Sequence, residues 1–391
     1  MVELGELART AGASVVGTVI QERARKDPAT LIGRGKVEEV ARLADQSCAD
    51  LLLFDDELSP AQQRNVEDLA RRKTLDRTQL ILDIFARRAR TREGRLQVEL
   101  AQLDYMLPRL AGKGVMLSRL GGGIGTRGPG ETKLETDRRR IRQRIQSVKR
   151  EIERVRRNRH TRREARSRFA VPVVALVGYT NAGKSTLFSA LTRTETAISD
   201  QLFMTLDPLV RKASLGGGRQ VLMVDTVGFI QKLPHGLVAA FRATLEEVGE
   251  ADLLLHVLDA SAEDLEERET AVESVLQEIG AADCPRISVL NKWDKIGEAR
   301  GATLQAGRPG SVLVSARTRQ GVEELKSALA FRLELSPRSV RLRFAARDAR
   351  GIAGVYTADR VVAHEVHGDE VRIQAELPAR LIERYRKHLI G

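Results

Sequence analysis

The chain has 391 residues, a length that predicts two or three domains. Its 42% of apolar residues is enough for packed cores, and its 30% of charged residues is typical of a soluble protein. No apolar run is long enough to cross a bilayer, and the acidic N-terminus lacks a secretion signal, so we expect no membrane span. The two cysteines, Cys48 and Cys284, lack metal-ligand spacing, which predicts two buried thiols in a reducing, cytoplasmic compartment.

The formal net charge of +12 is concentrated in one segment. Residues 138–168 contain 15 Arg and Lys against 3 Glu, which is +12, and the rest of the chain holds 50 basic and 50 acidic side chains. Such a block predicts a polyanionic partner. The alternative is a solvated helix face, but the acidic neighbours that would stabilise such a helix through ion pairs are mostly missing.

Residues 1–86 alternate strand-like and helix-like patterns, which predicts a small α/β domain. We expect strands over 15–20 and 50–54, and helices over 36–44 and 59–72. The last helix has the clearest start, because Ser59 is a favoured N-cap and Pro60 is tolerated at the first helical position.

Residues 87–168 carry two helical seams that predict an antiparallel helical hairpin. The seams are Leu96, Leu100, Leu103, Leu107 and Leu110 on the first helix, and Ile141, Ile145, Val148, Ile152 and Val155 on the second. The basic block lies on the second helix outside its seam, where it faces solvent or a ligand.

The loop that joins these helices runs from Gly112 to Lys133 and is too long and glycine-rich for a simple connector. It carries Arg119, Arg127 and Lys133. One interpretation is a disordered spacer, and the other is a site that becomes ordered on a partner.

Residues 169–336 alternate strands and helices in the doubly wound α/β style, with strands expected at 173–177, 221–225, 253–258, 286–290 and 311–314. Residues 337–391 predict a small α+β domain. Its expected elements are a strand at 340–344, a helix near 350, a hairpin about His367 and a last helix through Leu377, Leu381, Ile382, Tyr385 and Leu389.

A phosphate-binding loop follows the first of these strands. The sequence Gly178-Tyr-Thr-Asn-Ala-Gly-Lys-Ser185 matches the G-x-x-x-x-G-K-[ST] pattern, and an apolar strand precedes it. Lys184 can reach the terminal phosphates and the Ser185 hydroxyl can ligate Mg²⁺, while the following helix presents its positive dipole end. The segment predicts a nucleoside triphosphate with magnesium.

Further motifs at later strand ends narrow the ligand to GTP. Asp294 of Asn291-Lys-Trp-Asp294 can accept two hydrogen bonds from guanine that adenine does not offer, and a backbone N–H of Ser315-Ala-Arg317 can donate to guanine O6. Asp225 can hold a magnesium-bound water, Gly228 N–H can sense the γ-phosphate, and Thr205 lies where a mobile loop should supply a second metal ligand.

We therefore predict three catalytic residues, Lys184, Thr205 and Gly228, and a metal site formed by Ser185 and Thr205, with Asp225 acting through water. The predicted nucleotide-binding residues are Gly178, Tyr179, Thr180, Asn181, Ala182, Gly183, Lys184, Ser185, Thr186, Phe203, Met204, Thr205, Leu206, Asp207, Asp225, Thr226, Val227, Gly228, Asn291, Lys292, Trp293, Asp294, Ser315, Ala316 and Arg317.

Phe229 stands where many GTPases have the glutamine that orients the attacking water. A phenyl ring cannot do this by hydrogen bonding, so we expect slow intrinsic hydrolysis unless another residue or a partner supplies the group. His235 is a candidate because it lies nearby in sequence. The competing hypothesis is a nucleotide-gated RNA-binding scaffold or remodeller that seldom hydrolyses GTP.

Four segments together resemble the HflX family of translational GTPases. They are the glycine-rich run Gly121–Asp137, the phosphate loop, Asp225-Thr-Val-Gly-Phe-Ile230 and Leu233-Pro-His235. The resemblance covers nearly the whole chain, and phenylalanine after Asp-Thr-Val-Gly is usual in that family. It implies a P-loop G domain between a small α/β domain with an antiparallel helical hairpin and a small α+β C-terminal domain.

The resemblance also implies GTP with Mg²⁺ as cofactor, association with the large (50S) ribosomal subunit and ribosomal RNA, and hydrolysis stimulated by the ribosome. Some family members split stalled or idle ribosomes, so the resemblance implies that this protein splits or recycles ribosomes or acts in their assembly. We expect a monomer that is cytoplasmic and partly ribosome-bound, divided into residues 1–86, 87–168, 169–336 and 337–391.

Overall fold

A computed structural model describes residues 2–110, 129–167, 171–194, 202–231, 248–335, 337–358, 360–378, 382 and 385–390. Its internal contacts divide the chain into two compact units. The N-terminal unit contains the described residues up to 157 together with 202–207 and 231. The second unit contains 158–194, 208–230 and everything described from 248 onward. In the described part, no helix is long and apolar enough to cross a membrane.

The N-terminal unit begins with an α/β layer. Its elements are α1 (Val2–Thr10), α2 (Arg34–Gln46), β1 (Leu51–Phe54), α3 (Pro60–Ala70), β2 (Lys73–Asp76) and α4 (Arg77–Arg88), with β1 parallel to β2. The start of α3 agrees with the expectation, because the Ser59 hydroxyl accepts from the Gln62 N–H and the Gln62 side chain accepts from the Ser59 N–H.

Two expectations from the sequence are wrong. Residues 15–20 form no strand, because Val15, Val16 and Ile20 are exposed and the two-stranded sheet is built from β1 and β2. Cys48 is exposed, while Cys284 is only partly buried and donates its S–H to the Ala251 carbonyl at 3.2 Å. An apolar or thiol side chain is buried only where a neighbouring element covers it.

The helical hairpin is formed by α5 (Arg92–Arg109) and α6 (Pro129–Ser167). Its seam contains every predicted apolar residue except Leu110, which lies at the C-cap of α5. Arg92 pairs with Glu151, and Glu99, further along α5, pairs with Arg144, which comes earlier in α6. The two helices therefore run in opposite directions. This pattern confirms an antiparallel hairpin.

The glycine-rich loop lies largely outside the described residues, which resume at 129. Helix α6 begins at Pro129, so the expectation of a loop up to Lys133 is wrong at its C-terminal end. Proline is favoured at the first turn of a helix, because its missing N–H has no intrahelical partner there.

The second unit contains a six-stranded sheet of the P-loop type. Its elements are β3 (Val173–Gly178), α7 (Lys184–Thr192), β4 (Leu209–Gly216), β5 (Arg219–Asp225), β6 (Leu253–Asp259), α8 (Leu265–Glu278), β7 (Arg286–Asn291), α9 (Glu298–Ala306), β8 (Val312–Leu313) and α10 (Val322–Arg332). The strand order is β4-β5-β3-β6-β7-β8, with only β4 antiparallel to its neighbour. The chain passes from β3 to β4 and β5 on one side of β3, and then to β6 on its other side. Ligands of open α/β sheets bind at such a switch point.

A small antiparallel sheet completes the second unit. It consists of β9 (Pro337–Ala345), β10 (Arg360–His367) and β11 (Glu370–Pro378) in the order β10-β11-β9, with helix α11 (Ala349–Ala358). The predicted α+β class is confirmed. The last helix is wrong at Leu377, which is buried in β11, and the chain then forms a 3₁₀ turn at Arg386–His388.

His256 is a buried histidine in the middle of β6. Its side chain is 1% exposed, and its Nε2 has no hydrogen-bond partner among the residues that the structure describes. Burial lowers the pKa of His256 to about 4. Glu269 opposes this shift, and nearby arginines act in the same direction as burial. The imidazole is therefore neutral in the folded protein at neutral pH.

We expect the second unit to lose stability as the pH falls from 7.5 to 5. Between these pH values a histidine in the unfolded chain becomes protonated, whereas folded His256 stays neutral. His256 should therefore lower the free energy of unfolding by about 2 kcal/mol at pH 5. Urea unfolding followed by the fluorescence of Trp293, the single tryptophan, should show this loss in the wild type and much less of it in His256→Leu. The exposed His367→Leu is the control, and equal pH dependence in all three proteins would refute the assignment.

Candidate nucleotide-binding site

The phosphate loop connects β3 to α7 and requires glycine at two positions. Gly178 has a φ of 150° and Gly183 has a φ of 91°, both in the region that favours glycine. A Cβ at Gly178 would clash with the Val257 carbonyl, and one at Gly183 would clash with the Asn291 side-chain amide. The turn therefore brings its backbone close to β6 and β7.

Lys184 lies at the first position of α7 and is buried. Its Nζ donates to the Gly178 carbonyl at 3.0 Å and to the Tyr179 carbonyl at 2.8 Å. Burial lowers the pKa of Lys184 to about 8, partly offset by the Asp225 carboxylate. A bound triphosphate would stabilise the charged ammonium, because an adjacent anion opposes the cost of desolvation.

Gly228 lies against this ammonium. A Cβ at Gly228 would come 3.0 Å from Lys184 Nζ and closer still to Thr180 Cα. Two predicted catalytic residues, Lys184 and Gly228, are thus brought together. Thr226, between Asp225 and Gly228, fixes the segment by donating its hydroxyl to the Leu176 carbonyl at 2.6 Å.

Ser185 and Asp225, which the sequence predicts on the magnesium side of the site, lie next to each other. The Ser185 hydroxyl donates to Asp225 Oδ2 at 2.8 Å, and Asp225 is fully buried at the end of β5. A hydroxyl and a carboxylate at hydrogen-bond distance are the oxygen donors that Mg²⁺ prefers, either directly or through water. These residues therefore fit the ion.

The Phe229 ring is buried, with 1% of its surface exposed. Its backbone N–H donates to the Gly178 carbonyl at 3.1 Å, and its carbonyl accepts from the Thr180 N–H at 2.6 Å. Phe229 thus attaches the start of its segment to the phosphate loop as a short parallel bridge and offers no polar group to water. His235 lies outside the described residues.

Asp294 and the loop after β8, which the sequence predicts to recognise the base, lie against each other. Asp294 Oδ1 accepts from the Ser315 hydroxyl at 2.8 Å, and Oδ2 pairs with Arg317 at 2.6 Å. The Ser315 hydrogen bond and then Arg317 outweigh burial and lower the pKa of Asp294, so its carboxylate is ionised. Ser315 is buried whereas Arg317 is exposed, so a ligand can displace the guanidinium without disturbing the core.

Asn291 and Asp259 support the base side in ways that the motif alone does not reveal. Asn291 Nδ2 donates to the Ala182 carbonyl at 2.8 Å and Oδ1 accepts from the Ala316 N–H at 3.0 Å, which joins the phosphate loop to the base loop. Asp259, at the end of β6, pairs with Lys292 at 2.8 Å. The sequence signal for Asp259 is an acidic residue that closes a buried strand.

The remaining predicted residues divide between the two units. Residues 178–186, 225–228, 291–294 and 315–317 lie in the second unit, within the loops just described. Phe203, Met204, Thr205, Leu206 and Asp207 lie in the N-terminal unit. Their contact with nucleotide or metal stays a prediction.

Comparison with known proteins identifies the family. Three family models match in succession: the GTP-binding GTPase N-terminal region over residues 1–86, the GTP-binding GTPase middle region over 88–166 and the 50S ribosome-binding GTPase over 173–292. The GTPase HflX of Caldanaerobacter subterraneus subsp. tengcongensis is 46% identical over 389 residues, covering 100% of this chain and 90% of that protein. The chain belongs to the GTPase HflX family.

A second HflX relative, from Escherichia coli, is 43% identical over 379 residues, covering 96% of this chain and 89% of its own length. A GTP-binding protein from Sulfolobus solfataricus, solved with GDP, shares 25% identity at a TM-score of 0.45, covering 84% of this chain and 94% of its own. As an HflX GTPase, the chain binds and hydrolyses GTP, and the resemblance found in the sequence is confirmed.

Proposed function

We propose that this HflX GTPase binds the large ribosomal subunit and its RNA through the basic face of α6. The observation that carries the proposal is a row of exposed basic side chains outside the hairpin seam: Arg139, Arg140, Arg142, Lys149, Arg150, Arg154 and Arg157. On the same helix, Ile145 and Val148 are buried against α5. Arginines on one face of a long helix suit RNA phosphates, and the 50S ribosome-binding family model supports the choice of partner.

The proposed mechanism is a nucleotide switch. Mg²⁺ would be held by Ser185 and Thr205, with Asp225 through water, and would neutralise charge on the phosphates. Lys184 contacts the terminal phosphates, and the Gly228 N–H senses the γ-phosphate. The GTP- and Mg²⁺-bound state favours ribosome binding, and hydrolysis of GTP releases the protein from the ribosome.

The ribosome would also complete catalysis. Phe229 occupies the position of the usual glutamine, and because it is buried and apolar it cannot orient the attacking water. We infer slow intrinsic hydrolysis and stimulation by the bound subunit, in a monomer that acts in the cytoplasm. Residues 1–86, 87–168, 169–336 and 337–391 would act as four domains, and binding would split or recycle ribosomes or assist their assembly.

Ribosome binding should weaken steeply with salt. Each phosphate contact contributes about 0.7 to 0.9 to the slope of log affinity against log salt, so Arg139→Gln, Arg142→Gln and Arg150→Gln together should reduce that slope by about 2 to 3. The measurement is co-sedimentation with large subunits and a GTP analogue or GDP across a salt series. The control combines Arg211→Gln, Arg332→Gln and Arg338→Gln, which lie outside α6; binding that does not depend on salt would refute the proposal.

Two further measurements test the finer parts of the proposal. Large subunits should raise GTP turnover; tight GTP-dependent RNA binding without any stimulation would favour the scaffold hypothesis. Sedimentation of intact ribosomes with GTP should show separated subunits if the protein splits them. Unchanged ribosomes would favour a role in assembly.

A further inference from the structure

The segment 202–207, which carries Thr205, packs inside the N-terminal unit. Leu202, Phe203 and Leu206 are each 2% exposed. The Phe203 ring packs edge-on against Phe85 of α4, with ring centroids 4.7 Å apart, and the Leu202 N–H donates to the Thr10 hydroxyl at 3.2 Å. This segment is therefore anchored by α1 and α4.

Asp207 forms a second anchor at the N-terminus of α5. Its Oδ2 accepts from the backbone N–H groups of Arg90 and Thr91, each at 2.8 Å, and its Oδ1 accepts from the Thr91 hydroxyl. The same hydroxyl caps α5 by accepting from the Gly94 N–H at 3.0 Å. A carboxylate is well placed there, because it accepts from backbone donors and lies at the positive end of the helix dipole.

Gly94 makes room for this contact. A Cβ at Gly94 would clash with Asp207 Oδ1, although the backbone of Gly94 is ordinary helix. Alanine is a better helix former than glycine, so helix propensity does not explain the glycine. Close approach of the Asp207 carboxylate does explain it.

The two anchors leave Thr205 little freedom. Phe203 and Asp207 are each two residues away, so Thr205 stays within about 7 Å of either anchor. The helix that holds Asp207 continues into the hairpin seam through Leu96 and Leu100. A second residue from later in the chain is held in the same unit in a similar way: buried Arg77 donates to the Gln231 carbonyl at 3.0 Å.

We propose that Asp207 is a positioning residue that links the Thr205 loop to α5, so that partner binding at the hairpin is transmitted to the magnesium ligand. Gly94 and Thr91 are the other half of this link. The proposal rests on the proposed ribosome function for the physiological signal that the link would carry. The contacts that hold residues 202–207 in the N-terminal unit do not depend on that function.

The first test is hydrogen exchange without ribosomes. In the wild type, the amides of Arg90 and Thr91 should be protected, and Gly94→Ala should increase their exchange at least about tenfold. Gly35→Ala in α2, where a Cβ meets nothing within 4 Å, should change nothing. A Mg²⁺-loaded non-hydrolysable GTP analogue should alter exchange at the start of α5 in the wild type and not in Gly94→Ala; wild-type amides that are unprotected, or that do not respond, would overturn the proposal.

The second test is the ratio of stimulated to unstimulated GTP turnover. Gly94→Ala should keep the unstimulated rate within about threefold of the wild type and reduce stimulation by large subunits at least about tenfold. Thr91→Ala should also lose stimulation, whereas Thr91→Ser, which retains the hydroxyl, should recover it.

The outcomes separate this proposal from the proposed function. A wild type that is not stimulated would refute the ribosome function, and the exchange experiment would still decide the link. A stimulated wild type with equally stimulated Gly94→Ala and Thr91→Ala variants would refute the link alone. A purely structural role for Gly94 would lower both rates together and leave their ratio unchanged.

Discussion

Lys184→Ala is expected to lower GTP turnover about a thousandfold and to abolish detectable GTP binding at micromolar protein. We propose that the buried ammonium is the cation that contacts the terminal phosphates; without nucleotide it donates to the Gly178 and Tyr179 carbonyls of the phosphate loop. Alanine would remove the charge and leave those carbonyls without this donor. Phosphate release and binding of a fluorescent GTP analogue would measure the two effects.

The matched control is Lys212→Ala, at an exposed position of β4. It removes the same charge without touching the phosphate loop, so both binding and turnover should match the wild type. Circular dichroism should show that Lys184→Ala is folded. Retention of more than a tenth of wild-type turnover would mean that another cation performs this role.

Asp294→Asn is expected to weaken GTP binding about a hundredfold to a thousandfold and to favour XTP. In the proposed site the carboxylate would accept from guanine N1–H and N2–H₂, and a hydrogen bond to a charged group contributes about 1.5–3 kcal/mol. Asparagine presents an N–H donor at one of these positions, which opposes the guanine amino group and matches the xanthine carbonyl. Competition between GTP and XTP for a fluorescent analogue would measure the change.

Asp283→Asn, at an exposed position before β7, is the control and should keep the preference for GTP. Loss of the ion pair with Arg317 should matter little to stability, because that guanidinium is exposed. Undiminished GTP affinity in Asp294→Asn would show that this carboxylate does not read the base.

The phosphate loop and the hairpin illustrate what the sequence could predict. The elements at Gly178–Ser185 are contiguous, and a contiguous apolar strand, glycine turn and helix have few ways to fold. The hairpin seam is periodic, so Leu96, Ile145 and their partners follow from spacing alone. In both cases the information is local, because each residue is specified by its near neighbours in sequence.

The predictions that were wrong concern residues whose structure depends on distant parts of the chain. Residues 15–20 have a strand-like pattern but no strand beside them, and Leu377 continues a helical pattern but pairs with Arg338 of β9. The antiparallel strand β4 was missed because it lies at the sheet edge, where half of its side chains are exposed and the apolar signal is weak. In each case a distant segment decides the outcome.

By itself, the sequence determined the family and the ligand class and predicted which residues read phosphate and guanine, because these depend on short motifs at strand ends. Only the tertiary structure decided where Thr205 and Asp207 belong. Their motif predicts a nucleotide loop, yet Asp207 accepts its hydrogen bonds from Arg90 and Thr91, more than a hundred residues earlier. Hydrogen bonds and side-chain packing of this kind depend on distance in space, which sequence spacing does not encode.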